Sequence, residues 1–172
     1  MTPEEYLQRR EAAQEALWPK SDWMPGVKRL LDHLHAHDIP TAVATSSHQK
    51  LFAQKTANHT EAFGRFKHIV CGDDPRVAKT KPAPDCFLLA AQLLGAAPED
   101  CLVFEDAPNG VQAAKAAGMA VVWIPHSFML KEEDVANGVP LEAQEVVNEV
   151  GATQTLPSME AFCPQDWGLP PY

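Results

Sequence analysis

The chain has 172 residues, 45% hydrophobic and 22% charged, ordinary globular usage that allows one domain and excludes a disordered, collagenous or coiled-coil polypeptide. Its 14 basic and 23 acidic residues leave a net charge of −9, which repels phosphate backbones and anionic lipid. Nucleic acid and membrane surfaces are therefore not expected partners, whereas a compact metal-assisted phosphate site remains open. Cys71, Cys86, Cys101 and Cys163 include no C-x-x-C pair and no zinc-ligand spacing, so reduced thiols in a cytoplasmic protein are expected. The polar, acidic start Met1-Thr2-Pro3-Glu4-Glu5 lacks the features of a signal peptide, and no run approaches ~18 apolar residues.

Thr2-Pro3-Glu4-Glu5 reads as a helix N-cap, a proline at the first helical position and acids in the first turn, opening a polar, amphipathic helix through Leu17. Pro25-Gly26 opens a second helix, Val27 to His37, with Val27, Leu30, Leu31 and Leu34 on one face. Ile39 to Ala44 reads as a strand, Ser47 to about Ala57 as a helix, and His68 to Cys71 as another strand. Pro84 starts an apolar helix stopped by Gly95, Cys101 to Phe104 is the next strand, and Pro108 to Gly118 is an alanine-rich helix. Val121 to Ile124 is a fourth strand. A helix from about Leu141 to Val150 and a tail that packs its aromatics on the domain surface, ending Trp167-Gly168-Leu169-Pro170-Pro171-Tyr172, complete the chain. Strand and helix alternate, and short unbroken apolar strands suit burial on both faces, so an α/β fold with a parallel sheet wrapped by helices is expected.

Ligands of such sheets bind beyond the carboxyl ends of the strands. There the chain places Thr45-Ser46-Ser47, Gly72-Asp73-Asp74 and Glu105-Asp106. Thr45-Ser46-Ser47 suits either a helix N-cap or a phosphate contact. Asp73-Asp74-Pro75 is more naturally a turn than a ligand. Glu105 and Asp106 are adjacent acids at the rim of a buried sheet, where like charges need a cation or hydrogen bonds, and Mg²⁺ suits such an oxygen-rich site. Lys81, followed by Pro82 and set before a helix, can act as a fixed point charge for phosphate, although a lone lysine is more often solvated. His33 and His37 share a helical face but lack a third ligand, so a partly exposed helix end is favoured over a metal site.

The ordered motifs Met24-Pro25-Gly26, Ala44-Thr45-Ser46-Ser47, Gly72-Asp73-Asp74-Pro75, Lys81-Pro82-Ala83-Pro84-Asp85, Phe104-Glu105-Asp106-Ala107-Pro108-Asn109-Gly110 and Gly168-Leu169-Pro170 resemble the haloacid dehalogenase superfamily. The likeness is to its phosphatase and phosphomutase branch, more narrowly to pseudouridine 5′-phosphatase-like members. The resemblance implies a three-layer, Rossmann-like parallel sheet. It implies that Thr45 and Ser46 bind the transferring phosphoryl group, that Lys81 neutralises charge, and that Asp106 and Glu105 hold Mg²⁺. The implied reaction is dephosphorylation of a small phosphorylated metabolite, a sugar or nucleoside phosphate, through an aspartyl-phosphate. A sugar phosphomutase shares the same motifs.

Members of that superfamily carry the nucleophile in an Asp-x-Asp-Gly motif on an N-terminal strand. Asp22, Asp32 and Asp38 do not have that form, and nothing else before Thr45 does. The resemblance therefore implies a core, 23–172, lacking its first, central strand, with 1–22 as a remnant of the helical cap. The strands ending at Thr45 and at Phe104 must then pair with each other or leave an open gap. The chain as written is expected to be catalytically silent, either as a shortened phosphatase or as a non-catalytic product that retains phosphate or metal binding.

Overall fold

The computed structural model describes residues 1–126 and 150–172. Helix α1 (Pro3–Leu17) starts at a capping box: Thr2 Oγ1 accepts the Glu5 N–H at 3.2 Å and Glu5 Oε2 accepts the Thr2 N–H at 2.9 Å. The helix is not amphipathic as expected. Tyr6, Leu7 and Leu17 all stay exposed, so cap and propensity define it rather than an apolar face. Helix α2 (Val27–Ala36) follows the predicted stripe and buries Leu30 and Leu34. It ends where the Ile39 N–H returns to the Leu34 carbonyl at 2.9 Å, with Asp38 at φ 54°. Ile39 thus belongs to the helix end, and strand β1 is shorter than expected, Ala42–Ala44.

Helix α3 (Gln49–Lys55) is capped by His48, whose Nδ1 accepts the Leu51 N–H at 3.1 Å; Thr45-Ser46-Ser47 do not cap it. The short helix α4 (Thr60–Phe63) leads to β2 (His68–Val70). Helix α5 (Asp85–Leu94) buries Cys86, Phe87, Leu89, Ala90 and Ala91 and stops at Gly95, and β3 (Leu102–Glu105) follows. Helix α6 (Pro108–Ala116) begins with the expected proline, and β4 (Ala120–Trp123) leads toward β5 (Gln154–Thr155), a strand absent from the predicted set. The predicted helix from Leu141 falls almost wholly outside the described residues.

All strand pairs are parallel, but they form two half-sheets, β2–β1 and β3–β4–β5. The halves lie side by side. Ala42, Ala44 and Val70 of one share an apolar core with Val103 and Val121 of the other, covered by α5 and α6. On the opposite face Leu30 and Leu34 of α2 meet Val122, Leu156, Met159 and Phe162. Val121 and Val122, both fully buried, point to these two cores in turn, as the strand period of two requires. Three layers result: α5 and α6, the divided sheet, and α2 with the C-terminal segment. The C-terminal segment packs as expected through Trp167 and Leu169.

Between β1 and β3 no ladder forms among the described residues, so the gap stays open rather than closing. β1 is half-buried throughout, whereas Val121, Val122 and Trp123 of β4 are fully or nearly fully buried between two strand neighbours. Apart from the Ala44 carbonyl, which accepts from the Lys81 ammonium at 3.0 Å, the gap-side peptide groups of β1 and β3 must find water or remain unpaired, at about 1–3 kcal/mol for each that is dry. Hydrogen exchange followed by NMR should therefore show the gap-side amides of β1 and β3 exchanging faster than those of β4; uniform protection would mean that the gap closes in solution.

Candidate active site

The carboxyl ends of β1 and β3 open into one cleft of about 590 Å³, lined by Thr45 and Ser46 on one side, Glu105, Asp106 and Asn109 on the other, and Thr80 and Lys81 between them. Lys81 joins the walls. Its ammonium donates to the Ala44 carbonyl at 3.0 Å and to Glu105 Oε1, and lies 4.4 Å from the centre of the Phe87 ring. The ion pair is nearly buried, with side-chain exposures of 12% for Lys81 and 8% for Glu105. The peptide bond between Lys81 and Pro82 is cis.

The Glu105 side chain folds over the first turn of α6. A Cβ at Gly110 would overlap its carboxyl group, so Gly110 is required by close approach. The first turn of α6 thus lies directly against the Glu105 carboxyl group. Asp106 differs from its neighbour: it is exposed, and among the described residues its carboxylate has no hydrogen-bond partner. On the opposite wall Thr45 Oγ1 accepts the Ser47 N–H at 3.1 Å, while Ser46 is exposed. Gly72 lets β2's exit pass this loop. Its own Cβ would stand 2.5 Å from the Ser46 carbonyl, and its N–H donates to the Ser47 carbonyl at 2.9 Å.

The structure thus gathers all five candidate residues, Thr45, Ser46, Lys81, Glu105 and Asp106, around one opening. Asp73 and Asp74 stand apart from the cleft, Asp74 in its own turn and Asp73 against the first turn of α3. Asp73 Oδ1 accepts the Gln49 N–H at 2.9 Å, and Asp74 forms two side-chain hydrogen bonds with Arg76. His33 and His37 stand at the end of α2, where His33 Nε2 bonds the Pro170 carbonyl at 2.9 Å, the His33 ring packs on Tyr172, and His37 Nδ1 bonds the His33 carbonyl at 2.9 Å. Thr80, Asn109 and Gly110 also line the cleft, and the sequence assigns them no role, although Asn109 and Gly110 close the motif that begins at Phe104. Gly110 had a legible signal, since a glycine in the first turn of an alanine-rich helix, just after two acids, implies something pressed against it.

A match to haloacid dehalogenase-like hydrolases spans residues 2–118. The chain belongs to the haloacid dehalogenase-like hydrolases. It is 42% identical to (DL)-glycerol-3-phosphatase 2 of Arabidopsis thaliana, aligning over 100% of its own length and 67% of the relative. It is 45% identical to "Probable pseudouridine-5'-phosphatase" of Drosophila melanogaster, over 100% of the chain and 69% of the relative. The crystal structure of CbbY from Rhodobacter sphaeroides in complex with phosphate superposes with a TM-score of 0.68 at 26% identity, covering 93% of this chain and 66% of that one. The chain therefore spans about two thirds of these family members. No helix among the described residues is long and apolar enough to cross a membrane.

Two expectations follow from this geometry. Lys81→Met keeps the aliphatic stem but strands the Glu105 carboxylate, and should destabilise the fold by about 3–5 kcal/mol in urea denaturation. Glu105→Gln, which keeps an acceptor, should cost less; wild-type stability in Lys81→Met would mean that the ion pair does not join the walls. At the exposed turn, the Arg76 guanidinium holds the Asp74 carboxyl down at about 2, from an ordinary 3.8. Because the folded value is the lower one, the pairing contributes fully above about pH 4 and is lost as pH falls toward 2. A carbon-detected NMR titration should place the Asp74 midpoint near 2 in the wild type and higher in Arg76→Ala, yet still below its ordinary value, because the backbone N–H of residue 76, which donates to Asp74 Oδ1 at 3.0 Å, remains.

Proposed function

We propose that the cleft is the phosphate site of a phosphatase-type family member acting on a small phosphorylated metabolite, a sugar or nucleoside phosphate, with Mg²⁺ as its cation. The observation that carries this reading is the Lys81 ammonium shared between the Ala44 carbonyl and the Glu105 carboxylate, with the unpartnered Asp106 carboxylate beside it and Thr45 and Ser46 facing it. One lysine against two carboxylates leaves the cleft at −1, so a phosphate dianion needs a further cation. The donor set fits Mg²⁺, which takes one or two carboxylates and completes its shell with water and phosphate oxygen. Asp106 would hold the ion directly and Glu105, tied to Lys81, through water. Bound there, the ion would neutralise charge on the phosphoryl oxygens. Lys81 would offset charge from the opposite side, while the Thr45 hydroxyl, free to donate its own hydrogen, and the Ser46 backbone would orient the phosphoryl group.

Residues 23–172 would form the core and 1–22 a remnant of a cap. The relatives named above for acting on glycerol 3-phosphate and pseudouridine 5′-phosphate support a small phosphate ester as ligand. A cytoplasmic setting fits the four free thiols.

A second reading, binding without turnover, is favoured by one feature: among the described residues Glu105 and Asp106 are the carboxylates that line the cleft. Asp32 is committed to Lys28 and Arg65 on the exposed face of α2, so it supplies no nucleophile here. The chain as written should bind inorganic phosphate in a Mg²⁺-dependent manner by calorimetry, with Asp106→Asn weakening that binding at least about tenfold. It should hydrolyse p-nitrophenyl phosphate no faster than buffer with Mg²⁺. Hydrolysis above that rate and lost in Asp106→Asn would overturn the absence of turnover; phosphate binding indifferent to Mg²⁺ and to Asp106 would overturn the site itself.

A further inference from the structure

Asp106 lies one residue beyond the end of β3, where the ladder with β4 stops. At Glu105 the backbone is still held, because its carbonyl accepts the Ile124 N–H at 2.8 Å. At Asp106 no strand backbone takes over. The Asp106 carbonyl instead accepts the indole N–H of Trp123 at 3.0 Å. Trp123 pairs in register with Glu105 and is only 3% exposed, so its ring is fixed in the core while its one polar atom reaches past the end of the neighbouring strand. A buried indole N–H needs an acceptor, and the carbonyl it finds belongs to Asp106, the acid of the cleft whose carboxylate has no partner among the described residues.

We propose that Trp123 is a positioning residue for the cleft: its indole, reaching past the end of the ladder, fixes the Asp106 peptide and so aims the Asp106 carboxylate at the cation. The role rests on the cation reading above. Held at Glu105 by the ladder and at Asp106 by the indole, the two successive acids keep fixed directions although one of them lies outside regular structure. Phenylalanine at this position would keep much of the apolar packing but would release the Asp106 carbonyl, letting its peptide turn and spreading the carboxylate over several orientations. Partners behind metal ligands typically change metal affinity by 10–100-fold. Trp123 acts through the backbone, and the low end of that range is expected.

Trp167 supplies a matched control. Its indole donates to Gln154 Oε1, also at 3.0 Å, and does not line the cleft. Mn²⁺ binding should be followed by the loss of the free-ion electron paramagnetic resonance signal in the wild type, Trp123→Phe and Trp167→Phe, with urea stability measured in parallel. The expected result is a roughly tenfold weaker Mn²⁺ affinity in Trp123→Phe alone. In ¹⁵N-labelled wild-type protein, the Trp123 indole N–H should exchange more slowly with Mg²⁺ present while that of Trp167 is unchanged, a readout that does not require the variant to fold. Wild-type chain that takes up no Mn²⁺ would overturn the cation reading and this role with it. Uptake by the wild type with equal affinity in Trp123→Phe, equal loss in Trp167→Phe, or a Trp123 indole that ignores Mg²⁺ would overturn the positioning role alone.

Discussion

The fold and the cleft both depend on where one ammonium group sits. Two half-sheets with no hydrogen bond between their facing strands are joined at their carboxyl ends by Lys81, which satisfies a backbone carbonyl of β1 and a carboxylate of β3 together. A compact ammonium with three donors suits this place better than a planar guanidinium, because its acceptors lie on opposite walls and Phe87 occupies a third direction. Gly110 leaves room for the Glu105 carboxyl, and the buried pair holds the floor of the cleft, leaving Asp106, Ser46 and Asn109 at its open side. The lysine is thus first a structural tie, and the phosphate contact proposed for it would draw on the same charge.

What could be read from the sequence follows from how local each cause is. The α2 stripe, the proline starts of α1 and α6, and the Gly95 stop of α5 arise within a few residues, and each stands where expected. The five candidate residues that line the cleft were legible because hydroxyls, a lysine and paired acids directly after apolar runs are uncommon unless chemistry or capping calls for them. The apolar face expected of α1 failed because Tyr6, Leu7 and Leu17 find nothing to pack against, a fact that propensity does not carry. His48 displaced Thr45-Ser46-Ser47 as the cap of α3, leaving the Thr45 hydroxyl to close its own turn.

Non-local pairing was less accessible. The sequence resemblance left two outcomes open for the strands ending at Thr45 and Phe104, and only tertiary geometry separates a closed sheet from the divided one. β5 is two residues of ordinary composition, and its place beside β4 depends on residues far along the chain. Trp123 reads in sequence as one more apolar strand residue. Its polar contact emerges only when the register sets it opposite Glu105, one step short of Asp106.

The divided sheet also bears on the order in which the molecule can assemble. Within the carboxyl-terminal half-sheet, β3, α6 and β4 are consecutive elements, so their docking closes short loops. The Lys81 contacts instead bridge 37 residues to Ala44 and 24 to Glu105, and they exist only when both half-sheets are already in place. Loop-closure entropy must be met before such contacts reward it. The cleft is therefore a late product of chain collapse: local units can acquire their helices and strands while the chemistry-bearing junction between them has yet to form.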